Sequence, residues 1–413
     1  MIDVQWAFIS IFTSSLVNFI LRIVLGRELG PEGLGVYTLA FTIYLFGVQF
    51  AAFGIGSAQT FYIAESIDNH PTIRKYVSSG MTSSIITGIL MGVGFFYLAP
   101  YIAISFFKNP ELVGLIQLIS LTFPFIAIQK SVLGTLNGFR TMHLYALINI
   151  LQNISTVSLS VILVLVFRMG VQGAVVGLVA PTIIIGILSP LLIKEHLGLD
   201  HSLWDIPAIR ATTVFGFYAV LANSVSYLNN QINSVFIGYY LNPTEVGIFA
   251  VAVLLSQTLT LIPNAIQTVT NPVMATLNAK EDLEGVRRIF YSTLRKSFFI
   301  AAGSAVLLAV FSPFIISLLF GEKFLTSYIS LLLLLPGSVI LASYMAVGTT
   351  LASIGKVHII FRIGIISVVI NIIMNILLIP SVGIEGAAIA TSMTAIINFG
   401  ITVTVVRYYI TSK

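Results

Sequence analysis

The residues of this chain that could do chemistry are cations and amides set in an apolar background. Hydrophobic residues make up 57% and charged residues 8% of the 413 residues, against about 45–50% and about 25% in soluble domains. In that background Ser10, Ser14, Asn18 and Arg22 recur every four residues, one polar stripe along one helix face. Asn223, Ser226, Tyr227, Asn230 and Asn233 form a second stripe, and Gln257, Thr260, Asn264, Gln267 and Asn271 a third. Lys130 stands inside an apolar stretch, and Arg362 follows His358 near the start of another. A cation at membrane depth is costly and so marks a function, here charge pairing with an anion. The amides and hydroxyls would bond a polar cargo. Each residue also has a purely structural use. Arg22 and Arg362 can snorkel to an interface, and Ser, Asn and Gln bond helix to helix. Three stripes together read better as the wall of a shared hydrated cavity. The expected binding residues are Ser14, Asn18, Arg22, Lys130, Asn223, Tyr227, Asn230, Gln257, Asn264 and Arg362.

Other chemistries lack their residues. There is no cysteine, hence no disulfide framework and no thiolate metal site. All 15 Asp and Glu fall in loops or at span ends, whereas proton- or cation-coupled antiporters usually keep a buried carboxylate. No GK[ST] phosphate loop is present. No paired carboxylates or histidine cluster point to an enzyme, a metal or a cofactor. The net charge of +5 records membrane topology rather than nucleic-acid binding. Histidine is the side chain suited to proton exchange at physiological pH, and His143, near the start of the fifth apolar segment, is the one expected to be able to enter the cavity.

The elements that must position these residues are apolar segments. A bilayer core about 30 Å thick takes about 20 helical residues. Twelve segments qualify, over 5–25, 35–62, 79–104, 112–137, 143–167, 171–193, 211–240, 246–272, 297–320, 325–352, 358–379 and 385–406. The expected fold is all-α and integral to the membrane. Its expected division is a six-helix bundle over 1–194, a cytoplasmic linker over 195–208 and a second six-helix bundle over 209–413. The apolar start is read as a first span rather than a removed signal peptide. Arg74, Lys75, Arg140, Lys194, Arg210 and the basic run from Lys280 to Lys296 all fall on one side of this arrangement. By the positive-inside rule that side is the cytoplasm, so the protein is expected in the cell membrane with both termini cytoplasmic. Lys280 to Phe290 is expected to form a short amphipathic helix at that face.

The chain also repeats itself. Gly26, Leu29, Pro31 and Gly35 return as Gly238, Leu241, Pro243 and Gly247, each 212 residues on. Gly170-Val171-Gln172-Gly173-Ala174 returns as Gly383-Ile384-Glu385-Gly386-Ala387. Two homologous membrane halves are a common build of carriers that work by alternating access, and six spans per half relate them by an axis along the membrane normal.

Four passages carry a family resemblance. Leu25 to Tyr37 resembles the first external loop of the polysaccharide-biosynthesis flippases, the O-antigen and exopolysaccharide repeat-unit translocases of the multidrug/oligosaccharidyl-lipid/polysaccharide exporter superfamily. Val235 to Phe249 is similar to the matching loop of their second half, Leu318 to Phe324 to the loop after span nine, and Val382 to Ala388 to the start of the last helix. The resemblance covers the whole chain. It implies a flippase that moves a polyprenyl-diphosphate-linked oligosaccharide from the cytoplasmic to the external leaflet without covalent chemistry. The implied partners are that glycan, membrane lipids and other polysaccharide assembly proteins. One departure stands out, since many relatives carry an aspartate where this chain has Asn233. The competing readings are a drug/cation antiporter of the same superfamily, disfavoured by the missing intramembrane acid, and a membrane glycosyltransferase or polymerase, which would need catalytic carboxylates or a large external loop.

Overall fold

The turn after the first span shows how local sequence directs the chain. Gly30 takes φ +67° and ψ −173°, a conformation glycine adopts at little steric cost. Pro31 then begins the next helix, where its missing N–H is no loss. Helix α1 (Ile2–Ala51) is therefore two helices joined at this break. The same devices return later in the chain. Asn242 caps the helix that Pro243 starts, accepting from the Glu245 N–H at 3.0 Å. Gly170 and Gly383, with φ +60° and +78°, stand at the two other repeated turns, each at the start of a helix. Pro31 and Pro243, and likewise Gly170 and Gly383, thus do the same backbone work twice, whereas Asn242 is extended where Gly30 has positive φ.

The structure is a computed structural model that describes residues 2–198, 201–280, 282–345, 347–348, 350–353 and 356–411. Among them every regular element is helical. After α1 come α2 (Ile55–Glu65), α3 (His70–Pro100), α4 (Glu111–Ser120), α5 (Phe123–Gly138), α6 (Met142–Leu165) and α7 (Gly170–Leu188). Then follow α8 (Ile206–Tyr240), α9 (Pro243–Gln257), α10 (Leu261–Ala279), α11 (Leu283–Leu319), α12 (Ser327–Met345), α13 (Thr350–Ser353), α14 (Val357–Val382) and α15 (Ile384–Thr411). Among the described residues 10 helical segments are long and apolar enough to cross a membrane, or 11 with the bent pair α4–α5. The first of them, Phe12–Glu65, has 54 residues, about 80 Å of helix at 1.5 Å per residue. That is more than twice the hydrocarbon thickness, and the Gly30 break divides it into the first two expected spans. The expected span over 112–137 is α4 and α5, bent by 43° where Pro124 starts the second helix. The chain is an all-α, multi-pass membrane protein.

One expectation needs correcting. The segment after Lys280 is not a separate short helix. Asp282 caps α11, accepting from the Gly285 N–H at 2.8 Å, and the helix then runs unbroken to Leu319. No proline or glycine turn separates the basic stretch from the span that follows. It is amphipathic as expected, with Val286 and Phe290 buried and Arg287 and Arg288 exposed. Glu281 lies outside the described residues.

The chain packs as two compact units, 1–224 and 225–413, whose boundary falls inside α8. The first half of α8 belongs to unit one because it lies against the end of α1 and the start of α2. Gly54 and Gly216 bring the two backbones into contact, so that a Cβ on either would meet the other strand of main chain. The Gln49 side chain donates to the Val220 carbonyl at 3.4 Å. The connector before α8 is tied to α3, with the Gly198 N–H donating to Ser78 Oγ at 2.8 Å and Lys75 pairing with Asp205 at 3.1 Å. Residues 199 and 200 of the expected linker lie outside the described residues.

Candidate functional site

Unit one contains a cavity of about 230 Å³. Its walls come from the end of α1 (Val48, Gln49), Ala52 just after it, α2 (Gly56, Ser57, Thr60), α5 (Lys130, Leu133, Gly134, Asn137), Tyr145 of α6 and Asn223 of α8. The walls stand this close because α2 and α5 touch through glycines. A Cβ at Gly56 would strike the Lys130 carbonyl, and one at Gly134 would strike the Gly56 main chain, the small-residue packing expected between membrane helices. Thr60 fastens the contact, its hydroxyl reaching the Gly134 carbonyl at 2.9 Å and its own Gly56 carbonyl at 3.0 Å. Behind the wall lies a core of Ile63, Ile73, Val77, Val132, Leu136 and Ile148, into which Leu133 also packs. With α5 held by that core, Lys130 is left on its exposed side. The lining therefore carries one ammonium, several hydroxyl and amide groups, and no carboxylate. This set can hold an anion and bond a hydroxylated cargo.

Of the expected binding residues, the structure brings Lys130 and Asn223 together in this cavity. Ser14 and Asn18 meet elsewhere in unit one. The Asn153 amide donates to Ser14 Oγ at 2.8 Å and accepts from Asn18 at 3.1 Å, a bridge between α1 and α6. Arg22 is half-buried with its guanidinium 6.0 Å from the Phe41 ring centroid, a cation–π geometry. The others belong to unit two. Asn230 is exposed and donates to the Ser226 carbonyl at 2.8 Å, Tyr227 is partly buried, and Gln257, Asn264 and Arg362 are exposed.

Two groups of residues escaped the sequence reading. Gln49, Ser57, Thr60, Asn137 and Tyr145 line the cavity but come from four helices, so no stripe collects them. The glycines at 56 and 134 were the available signal. The second group is Asn371 and Asn375, which join Asn233 of the second stripe in a buried amide cluster in unit two. Asn233 donates to Thr391 Oγ1 at 2.8 Å and accepts from Asn375 at 2.9 Å, while Asn375 also donates to Asn371 Oδ1 at 2.9 Å. Asn375 is fully buried and Asn233 nearly so. No charge enters that cluster, because the residue at 233 is an amide.

The all-helical, multi-pass membrane fold, with a polar cavity inside unit one, is of a kind that transport proteins share. Comparison with solved structures agrees. A structure described as lipid II flippase MurJ in an inward closed conformation superposes with TM-score 0.81 over 98% of this chain and 87% of that one, at 17% identity. An inward-facing multidrug resistance MATE family transporter of the MOP superfamily gives TM-score 0.78 over 97% and 95%, at 16% identity. At such identities these likenesses show the fold alone.

The particular family follows from sequence. Residues 24–329 match the family described as polysaccharide biosynthesis protein, and the chain belongs to it. Two curated relatives come from Haloferax volcanii. “Probable flippase AglR” is 26% identical over 92% of this chain and 78% of its own length. “Probable low-salt glycan biosynthesis flippase Agl15” is 26% identical over 54% of this chain, an alignment spanning 48% of that relative.

Proposed function

We propose that this protein is a flippase that carries a polyprenyl-diphosphate-linked oligosaccharide from the cytoplasmic to the external leaflet by alternating access. The observation that supports the reading most is the cavity wall of unit one, where Lys130 faces hydroxyl and amide groups with no carboxylate. A diphosphate needs a cation where water is scarce, whereas a cationic cargo would be repelled by one. The flippase names of the relatives agree. The remaining expected residues, Ser14, Asn18, Arg22, Tyr227, Asn230, Gln257, Asn264 and Arg362, are proposed contacts along the path. The protein performs no covalent chemistry in this reading, both termini face the cytoplasm of a cell membrane, and other polysaccharide assembly proteins act beside it. The halves 1–194 and 209–413 are proposed as the two repeats. The antiporter reading shares the fold but lacks its carboxylate, and nothing favours the glycosyltransferase reading.

The test is transport of a labelled polyprenyl-diphosphate sugar in proteoliposomes, under an imposed membrane potential and separately under a pH gradient. A potential acts on the anionic substrate directly, at roughly 2.3 kcal/mol per charge per 100 mV. Flipping that responds to the potential is the expected result. Absence of flipping under either force, with correctly inserted protein, rejects the reading. A response to the pH gradient alone, unchanged in His143→Gln, would return a carboxylate to the mechanism.

A further inference from the structure

The exposed face of α2 does not end at the cavity. Ser57 lines it, and Phe61 and Ala64 continue the same face four and seven residues on, all three exposed. Phe61 is 50% exposed and lies on Phe215 of α8, centroids 5.3 Å apart at 24°. Tyr62 meets Phe61 edge-on at 5.3 Å and lies flat on Tyr76 of α3 at 4.5 Å and 5°. Tyr62 also meets Phe215 at 6.0 Å. Four rings from three helices of unit one therefore form one continuous shelf. Its surroundings are polar. The Lys75–Asp205 pair adjoins it, and both Glu65 and Asp205 act electrostatically on Tyr76.

We propose that this shelf is a sugar subsite, where the first pyranose ring of the lipid-linked glycan stacks on Phe61. The proposal rests on the flippase reading of the cavity. One face of a pyranose ring presents only C–H groups, which suit the negative face of an aromatic ring. Its edge presents hydroxyls, which suit phenol, carboxylate and ammonium groups at the rim. A lipid tail would gain nothing from Glu65, Asp205 and Lys75, and a second phosphate would meet two carboxylates. The spacing also fits. Gly56 abuts the Lys130 main chain, and Phe61 is five residues further along α2, about 7.5 Å at the helical rise. That is comparable to a diphosphate bridging a lipid and its first sugar.

The experiment measures binding of two probes to the full-length protein in nanodiscs, polyprenyl diphosphate and the same lipid carrying one N-acetylhexosamine. Phe61→Leu and Phe215→Leu should each weaken the sugar-bearing probe by roughly three- to tenfold, and Phe61→Trp should preserve it. Neither leucine variant should alter binding of the bare lipid. Thermal unfolding establishes that each variant is folded, and two positions guard against the loss of one. Equal loss for both probes, or no loss for either, overturns the subsite. Lys130→Gln separates the two readings, since it should weaken both probes alike. Sugar-selective loss in Phe61→Leu with no effect of Lys130→Gln would keep the shelf and remove the diphosphate role of Lys130. The opposite pattern would keep Lys130 and remove the shelf.

Discussion

Lys130 opens onto a cavity in unit one, and Ala342 and Ser343, 212 and 213 residues further on, are buried in unit two. The Ser343 hydroxyl spends its proton on the Val339 carbonyl. At Arg22 the matching residue is Ser234. Unit one therefore keeps cations where unit two has small polar or apolar side chains. Unit two instead sinks its amides. Asn233, Asn371 and Asn375 bond one another and the hydroxyls of Thr391 and Thr394. Pro31 and Pro243 at one turn, and Gly170 and Gly383 at another, have kept their backbone roles in both units, while the side chains between the turns have parted. Glycine and proline at a turn are fixed by main-chain geometry, which any membrane carrier of this shape must repeat. Side chains that touch cargo answer only to the cargo, and one anionic group needs one cationic wall.

The largest expected effect tests that asymmetry. Lys130→Gln forgoes a charge-assisted hydrogen bond of about 1.5–3 kcal/mol, so flipping of a labelled polyprenyl-diphosphate sugar should fall roughly ten- to hundredfold at equal protein level. Ser343→Ala, at the matching level of unit two, should leave flipping near wild type. Comparable losses in both variants would mean that the units share the charge-handling role.

A second, smaller effect separates binding from support in unit two. The Asn375 amide serves Asn233 Oδ1, Asn371 Oδ1 and the Asn371 carbonyl, each at 2.9 Å. Asn375→Ala leaves those oxygens short of a donor inside a dry helix contact, a loss of about 1–2 kcal/mol. The expected outcome is a lower unfolding temperature with unchanged binding of bare polyprenyl diphosphate. Lost binding at unchanged stability would move the cluster from support to cargo.

How far the sequence foretold this arrangement depends on which force places each residue. The turns at Gly30, Gly170, Gly383 and Asn242-Pro243 were legible because their geometry is local. Lys130 was legible because a cation within an apolar run has few reasons to be there. Asn223 was legible through its stripe, although Tyr227 and Asn230 on the same helix belong to the other unit. Ser14 and Asn18 were legible as polar and not as to purpose, because their partner Asn153 is over a hundred residues away. Gln49, Thr60 and Asn137 were hidden because their facing is decided by the Gly56–Gly134 contact. A pattern along one helix cannot show which turn of another will touch it.

That contact can be tested directly. Gly134→Ala places a methyl against the Gly56 main chain, and overpacking of this kind costs about 1–3 kcal/mol. Gly114→Ala has nothing within 4 Å of the added carbon and should be neutral or slightly stabilising in its helix. The difference between them should appear as a lower unfolding temperature for Gly134→Ala together with altered binding of both lipid probes. Equal behaviour of the two variants would mean that the cavity wall does not depend on the glycines.

The smallest expected effect lies at the Lys75–Asp205 pair of unit one. The Ala208 N–H first, and the Lys75 ammonium after it, hold the Asp205 carboxyl below its ordinary value. A carboxyl depressed by folding adds stability above its unfolded pKa, about 3.9, and loses it as pH falls through the lower folded value. The contribution is therefore complete at neutral pH and fades only below about pH 4. Lys75 is well exposed, so solvent and salt screen the pair and its share of stability is small. Asp205→Asn should lower the unfolding temperature slightly at pH 7, and the gap to wild type should close in acid and in high salt. A gap that persisted under both conditions would show that Lys75 contributes nothing to it, since the asparagine keeps an oxygen for the Ala208 N–H and loses only the charge.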